Sequence, residues 1–442
     1  MVLDLACVSI SSRTKLPFGL EMALYKTASG VLKSIEEKQG SVKSLVIASK
    51  YKNVKQLYAL VVETLKYKDV LMEIINKTKL MQGTHISKYE ALVLSHDFLF
   101  GRGVQCGGRY KKIIHSRKSQ LNSALTMMKV KRKVKSNEDL LQKDLKDAIN
   151  LPKYLRINTL LTSKDDAVEY FKKIGYTLVA SRSPHQLQKN EFMIDSVIPY
   201  LLVFHPRTDL HNDRLYKGGE IIFQDKASCL PAYILSPTNG SVVIDACAAP
   251  GNKTSHMAAI MSNRGKIFAF DLSPQRLSTM DSMLLKAGVL CCQTKVQDFL
   301  KVKHDDPQYC KATEILLDPS CSGSGIVNRL NSLTNDDDSS SESRLQSLAN
   351  FQSQALDHAL LFPKVNKVVY STCSIHTIEN EKVVMKALEK HPHFELVHIL
   401  PEWQNRGLPI DGFEVEAKKC IRCTPEHDQT NGFFVALFQR KS

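Results

Sequence analysis

Apolar positions follow two rhythms along this chain. From Met22 to about Asn150 they recur at helical spacing. In "VKQLYALVVETLK" Val54, Leu57, Tyr58, Val61 and Leu65 share one face, and Val70, Leu71, Ile74 and Ile75 continue it. Residues 1–21 carry no such pattern and read as a loosely attached extension. Between about Leu151 and Phe223 strands and helices mix. "YLRINTLL" and "YLLVF" (200–204) read as strands. "SKDDAVEYFKKIG" reads as a helix that Ser163 caps and Gly175 ends, with carboxylates in its first turn. From Gln224 onward the short apolar runs "VVIDA", "KIFAFD", "EILLDP" and "KVVYST" alternate with helical segments, the pattern of a doubly wound, Rossmann-like parallel sheet. The acidic stretch "NSLTNDDDSSSESRLQSL", 331–348, interrupts that alternation and reads as a disordered loop. The expected architecture is α/β: a helical domain over 22–150, a small α+β module over 151–223, and the doubly wound sheet over 224–442.

At 442 residues the chain has room for two or three domains and a proper core. Its 60 Lys+Arg against 45 Asp+Glu leave a net charge of +15, which favours a polyanionic partner. The excess is concentrated in residues 101–135, which hold eleven Lys/Arg and no acid, including "KVKRKVK" at 129–135. An isolated run of this kind is as readily a solvated helix face. In a net-basic chain the acid-free block points instead to a phosphate-contacting surface. The heptapeptide also fits a nuclear import signal. Eleven cysteines, an odd count without regular spacing, read as reduced thiols of the nucleus or cytosol. No apolar run approaches the ~18 residues of a membrane helix. The opening "MVLDLACVSISSRTKLPFGL" has no basic leader and makes a poor signal peptide.

Candidate chemistry sits where the apolar strands end. "DACAAPGNKT", Asp245 to Thr254, has one glycine and so lacks the G-x-G-x-x-G that seats a pyrophosphate on a helix N-terminus. Its small residues Ala246, Cys247, Ala248, Ala249 and Gly251 still let a ligand approach the backbone. Asp271 ends the next strand, twenty residues after Gly251, where a carboxylate can accept from two ribose hydroxyls. A ribose-binding acid without a phosphate cradle suits S-adenosylmethionine. The plainer reading is an ordinary βαβ unit with a surface aspartate. Asp318-Pro319-Ser320-Cys321 and Cys373 end two later strands, on the edge where open α/β sheets bind ligands. Both cysteines could be small core residues. Alternatively, two thiols and a carboxylate beside a methyl donor fit methylation at C5 of a pyrimidine. That carbon is a poor nucleophile until a thiolate adds at C6 and makes it enamine-like. A carboxylic acid at the N3 and N4 edge would offset charge developing on the ring. A free thiol has a pKa near ~8.5, so such a site must favour the thiolate.

"DACAAPGNKT", "DPSCSGSG" (318–325), "YSTCS" (370–374) followed by "ENE" (379–381), and "NGFFVALF" (431–438) together resemble the Nop/Sun family of RNA cytosine-5 methyltransferases, over about residues 150–442. "NVKQLYALV", "RINTL" and "QDKASCLPA" are most similar to the fifth branch of that family, which acts on large-subunit ribosomal RNA. The resemblance implies an S-adenosylmethionine-dependent methyltransferase with Cys373 as nucleophile and Cys321 assisting release of the methylated base. It implies a cofactor site lined by Cys247, Ala248, Ala249, Pro250, Gly251, Asn252, Lys253, Asp271, Arg276, Asp298 and Asp318, with Asp318 also touching the base. It implies ribosomal RNA or a pre-ribosomal particle as partner and a nuclear, nucleolar location. The chain departs from the family's "DGFF" at Asn431.

Other signals carry less. Cys420 and Cys423 form C-x-x-C, but no further pair of ligands stands at compatible spacing, so no metal is expected. Cys291 and Cys292 read as strand core, and His256 as a helix-surface or packing residue. The chain is expected to act as a monomer and off the membrane. Two rivals stay open. A DNA cytosine-5 methyltransferase would place its thiol in a "PCQ"-type loop, where this chain has "PSCSG". A non-catalytic ribosome-assembly factor would keep the fold only to bind RNA.

Overall fold

The structure, a computed structural model, describes residues 18–37, 39, 42–141, 151–180, 183–327 and 339–441. The chain divides into two compact units, the first holding the N-terminal helices and the second beginning at Ile149.

The first unit is helical: α1 (Phe18–Glu36), α2 (Val42–Ala48), α3 (Val54–Lys66), α4 (Lys68–Lys77), α5 (Lys88–Leu99), α6 (Gly108–Ser116) and α7 (Lys118–Lys131). α1 starts at Phe18, so residues 18–21 belong to a helix rather than to the expected extension; residues 1–17 lie outside the described residues. α3 opens on Asn53, whose side chain accepts from Gln56 N, and buries Leu57, Val61 and Leu65. α4 buries Val70, Leu71, Ile74 and Ile75, the face its periodicity marks. α5 carries a full capping box between Ser87 and Glu90. α6 and α7 bury Tyr110, Ile114, Leu121 and Met128, while Arg109, Lys111, Lys112, Lys118 and Lys131 stay exposed.

The second unit contains two sheets. The smaller comprises β1 (Lys153–Ile157), β2 (Thr177–Leu178), β3 (Glu191–Ile194), β4 (Leu201–Phe204) and β5 (Ile221–Phe223), in the order β2-β3-β4-β1-β5. The helix Lys164–Lys173, capped by Ser163, packs Phe171 against Phe192 and Phe204. The larger sheet comprises β6 (Val242–Asp245), β7 (Lys266–Asp271), β8 (Cys292–Val296), β9 (Glu314–Leu317), β10 (Lys367–Thr372), β11 (Phe394–Leu396), β12 (Ile421–Cys423) and β13 (Phe433–Arg440). Its order is β11-β13-β10-β9-β6-β7-β8, with β12 pairing β13. The strands from β8 to β10 are parallel, and β13 runs antiparallel beside β10. Helices cover both faces, so these strands are apolar on both sides. Ile244, Ile315 and Val368 enter one core, while Val243, Leu316 and Val369 enter the other. The chain leaves β6 towards β7 and β8, then returns to β9 on the other flank of β6. That reversal opens a crevice beyond the carboxyl ends of β6 and β9.

Two expectations change and one is narrowed. Residues 339–348 are not a loop: they open the helix Ser339–Leu360. Its polar first turns hide an amphipathic pattern that becomes plain only with Ala349, Gln352, Ala355, Leu356 and Ala359, all buried. Residues 331–338 lie outside the described residues. Cys291 and Cys292 are half-buried rather than core, because β8 is the edge strand. Of the two places expected for His256, the structure takes the packed one: it is buried on the helix Asn252–Ile260, and burial holds its pKa well below the usual histidine value.

Candidate active site

The loop after β6 ends on Gly251, whose left-handed backbone (φ 100°) starts the helix Asn252–Ile260 with no side-chain cap. Glycine is needed here twice over. The φ strains other residues, and an added Cβ would stand 2.8 Å from Met280 Cγ. The first N–H groups of the helix, at its positive dipole end, therefore face the loop without a capping side chain. Ala248 and Ala249 are buried, Pro250 follows a cis bond, and burial pushes the Cys247 thiol up. Asn252 keeps a buried Oδ1 with no partner, an acceptor that a bound ligand can satisfy.

Asp271 ends β7 almost fully buried. Its Oδ1 accepts from Ser273 N at 2.9 Å. Its Oδ2 accepts from Ala249 N at 3.3 Å and pairs with Arg276 at 3.3 Å. Arg276 also donates to Ala249 O, so this carboxylate and guanidinium tie β7 to the loop after β6. A carboxylate has about four lone-pair sites, enough to accept ribose hydroxyls as well. Asp245, at the end of β6, accepts from Thr254 Oγ1 at 2.6 Å, and burial still pushes its pKa up to about 7.

β9 and β10 end in register, Leu317 beside Tyr370, so the next residues of each strand meet. Ser371 Oγ donates to Asp318 Oδ1 at 2.8 Å, and Lys253 Nζ pairs with Asp318 Oδ2 at 2.7 Å. Burial opposes the charge on Lys253, but Asp318, with Cys373 and Asp245 behind it, holds its pKa above the ordinary lysine value. Beyond Asp318, Cys321 Sγ lies 3.1 Å from Cys373 Sγ, both residues half-buried and in no disulfide. The hydrogen bond with Cys373, then burial and the charge of Cys373, push the Cys321 thiol well up. At this distance either thiol can donate to the other. Core thiols would be sealed among apolar side chains. These two are partly open, beside an ion pair.

Asp318, Lys253, Cys321 and Cys373 thus come together, joined through Lys253 to the loop that Asp271 and Arg276 brace. Asp298 stands apart. Its Oδ1 accepts from Leu300 N at 3.1 Å and caps the short helix Phe299–Lys301, and no hydrogen bond or ion pair joins it to the other site residues among those described.

Residues to which the sequence reading gave no role surround these groups. Arg156, in the middle of β1, is 1% exposed and bonds Gln224 Oε1 (2.7 Å) and Ser255 Oγ (2.8 Å), which fastens the small module to the helix Asn252–Ile260. Burial lowers its pKa to about 10. The available signal was an arginine inside an otherwise apolar strand. Leu272, directly after Asp271, is exposed. Asn380 accepts from Thr372 Oγ1 (2.6 Å) and donates to Ser374 O (2.9 Å), bracketing Cys373. Glu381 takes two hydrogen bonds of 2.7 Å from Arg422, which also donates to Ile375 O at 2.9 Å. Asn431 donates to Asp225 Oδ2 (2.9 Å) and accepts from Val327 N (3.0 Å). An aspartate there would face Asp225 as a like charge, so the amide suits this chain.

Comparison with known proteins defines the class first. Residues 232–439 match the family model of the 16S rRNA methyltransferase RsmB/F, so the doubly wound sheet is a methyltransferase domain. Residues 55–141 and 151–224 match the N-terminal and ferredoxin-like domains of NOL1/NOP2/Sun domain family member 5. A 28S rRNA (cytosine-C(5))-methyltransferase of Mus musculus is 45% identical over 429 residues, covering 95% of this chain and 91% of that protein. A 25S rRNA (cytosine-C(5))-methyltransferase of Schizosaccharomyces pombe is 40% identical over 426 residues, covering 94% and 91%. The chain belongs to the NOL1/NOP2/Sun domain family of methyltransferases. The fold is shared with a methyltransferase homolog protein of Pyrococcus horikoshii, 24% identical, with a TM-score of 0.54 and coverage of 83% and 99%. Among the described residues no helix is long and apolar enough to cross a membrane, and no His/Cys/Asp/Glu group could hold a metal ion.

Proposed function

We propose that this protein methylates C5 of a cytosine in large-subunit ribosomal RNA through a covalent adduct on Cys373. The observation that carries the reading is the pair of thiols 3.1 Å apart beside the Lys253–Asp318 ion pair. The relatives above, covered nearly end to end, are named for this reaction. The loop 247–253, with Asp271 and Arg276, fits S-adenosylmethionine: small side chains, an uncapped helix start, the orphan Asn252 Oδ1 and a braced carboxylate. When bound, that cofactor supplies an electrophilic methyl group.

The chain's own residues do the rest. The Cys373 thiolate, favoured by the Cys321 S–H and the Lys253 charge, adds to C6 of the cytosine. Asp318, fixed by Lys253 and Ser371, accepts from the exocyclic amino group, and the lysine charge offsets the negative charge building on the ring. After C5 has gained the methyl group, its proton passes to water and the C5–C6 double bond re-forms. The C6–S bond then breaks, and Cys373 leaves as a thiolate that the Cys321 S–H stabilises. The exposed lysines of α6 and α7 would contact RNA phosphates, and the nucleolus, where ribosomal RNA is made, is the expected location.

Bisulfite sequencing of large-subunit ribosomal RNA from cells with and without the protein tests the activity. One cytosine should lose protection in its absence. The Cys321→Ala variant should attack the base but release it slowly, accumulating an enzyme–RNA adduct that survives denaturing electrophoresis. A trap in Cys373→Ala instead would reverse the two roles.

A further inference from the structure

Glu379 lies wholly inside the protein, in the short helix Thr377–Glu379. Its two carboxylate oxygens point to different loops. Oε1 accepts from Ser322 N at 2.8 Å, the residue directly after Cys321. Oε2 accepts from Ser374 Oγ, the residue directly after Cys373. A third donor, Gln352 Nε2, bonds the same Oε1 at 2.9 Å and also Ser320 O at 3.0 Å, directly before Cys321. Gln352 comes from the helix Ser339–Leu360. These hydrogen bonds keep the carboxylate ionised although burial opposes its charge.

A buried carboxylate costs several kcal/mol to desolvate unless it is well satisfied. Packing alone does not call for one between two loops of serines and glycines. Direct contacts between the loops run through single hydroxyls or the backbone and are partly exposed: Ser322 Oγ to Ser374 Oγ at 3.1 Å, Ser324 Oγ to Ser374 Oγ at 3.3 Å and to Ile375 N at 3.1 Å, and Gly325 N to Cys373 O at 2.9 Å. None of these holds the residues flanking both cysteines through one rigid group. Glu379 does.

From this arrangement we infer that Glu379 is a positioning residue that sets the distance between the Cys321 and Cys373 sulfurs and so governs release of the methylated RNA. The inference rests on the reading of Cys373 as nucleophile and Cys321 as release group. Attack needs only a placed Cys373, which Asn380 also holds through Thr372 and Ser374. Release needs the Cys321 S–H at the departing sulfur, and Glu379 with Gln352 is what fixes the Cys321 loop. Loss of Glu379 should therefore slow release more than attack.

The experiment compares wild type, Cys321→Ala, Glu379→Ala and Glu379→Gln. Each is incubated with S-adenosylmethionine and large-subunit ribosomal RNA isolated from cells lacking the protein, then run on denaturing gels beside single-turnover methyl transfer. Glu379→Ala should accumulate adduct as Cys321→Ala does and release RNA about tenfold or more slowly, since ångström displacements cost rates of that order. Its cofactor affinity should be unchanged, and Glu379→Gln, which can still bridge both loops, should restore most of the release. Adduct in Cys321→Ala but none in Glu379→Ala, with turnover lost, would overturn the positioning role and leave Glu379 a fold residue. No adduct in Cys321→Ala would instead sink the two-thiol reading itself. Should Glu379→Ala not fold, Ser374→Ala cuts one arm of the bridge: adduct above the wild-type level supports the inference, and wild-type levels overturn it.

Discussion

On the β6–β7 side of the crevice, the loop meets its surroundings through backbone atoms and small side chains. Gly251 clears Met280, Ala248 and Ala249 lie flat, and one carboxylate, Asp271, braces the turn. On the β9–β10 side, Glu379, Asn380 and Glu381 are all buried and each ends in hydrogen bonds to a thiol loop or to the arginine that supports one. The first side is shaped by what is left out, so that a ligand can lie against the backbone. The second is shaped by pins: buried side chains hold the loops that carry the two sulfurs. Damage on the first side should therefore read as affinity, and damage on the second as chemistry or stability.

The largest effect is expected for Cys373→Ala. Removing the nucleophile should lower turnover by at least about 10³-fold, with S-adenosylmethionine binding by calorimetry unchanged and no adduct in the double variant with Cys321→Ala. Residual turnover near wild type would move the nucleophile elsewhere and erase the contrast between the two sides. Next comes Arg422→Ala, which strips the buried Glu381 of its bidentate partner and should cost about 3–5 kcal/mol in denaturant unfolding. A loss below ~1 kcal/mol would mean that Glu381 sits there without needing its ion pair. The smallest of the three is Asp271→Ala. It should weaken S-adenosylmethionine binding by about 1–3 kcal/mol, from lost hydrogen bonds to ribose hydroxyls, and leave single-turnover methyl transfer at saturating cofactor near wild type. Unchanged affinity would place the ribose elsewhere, and a large fall in the saturated rate would blur the division between the sides.

Local pattern was enough to find the strands, and with them the edge where the chemistry lies. β6, β7, β9 and β10 are short apolar runs buried on both faces, and such runs announce themselves without long-range information. The loops Cys247–Lys253, Asp318–Gly325 and Cys373–Ser374 follow from where those runs stop. The helix Ser339–Leu360 did not announce itself, because its first turns are polar in sequence and its buried face begins only at Ala349. Asp298 was named on the strength of resemblance, and its place at the cap of Phe299–Lys301 follows from a turn that flanking residues do not mark.

What the sequence determined by itself was the class of fold and the edge of the sheet where the proposed reacting groups lie, since both depend on short-range periodicity. What only the tertiary structure decided was who meets whom. Cys321 and Cys373 are 52 positions apart, yet their sulfurs approach to 3.1 Å because β9 and β10 are parallel neighbours that end in register. Lys253 finds Asp318 because β6 lies beside β9, and Arg156 reaches Ser255 from a different sheet. Glu379 bridges both thiol loops because the ends of β9 and β10 stand side by side, and Gln352 joins it from the helix Ser339–Leu360. Strand order and register are global properties of the packed chain, and no window of sequence contains them.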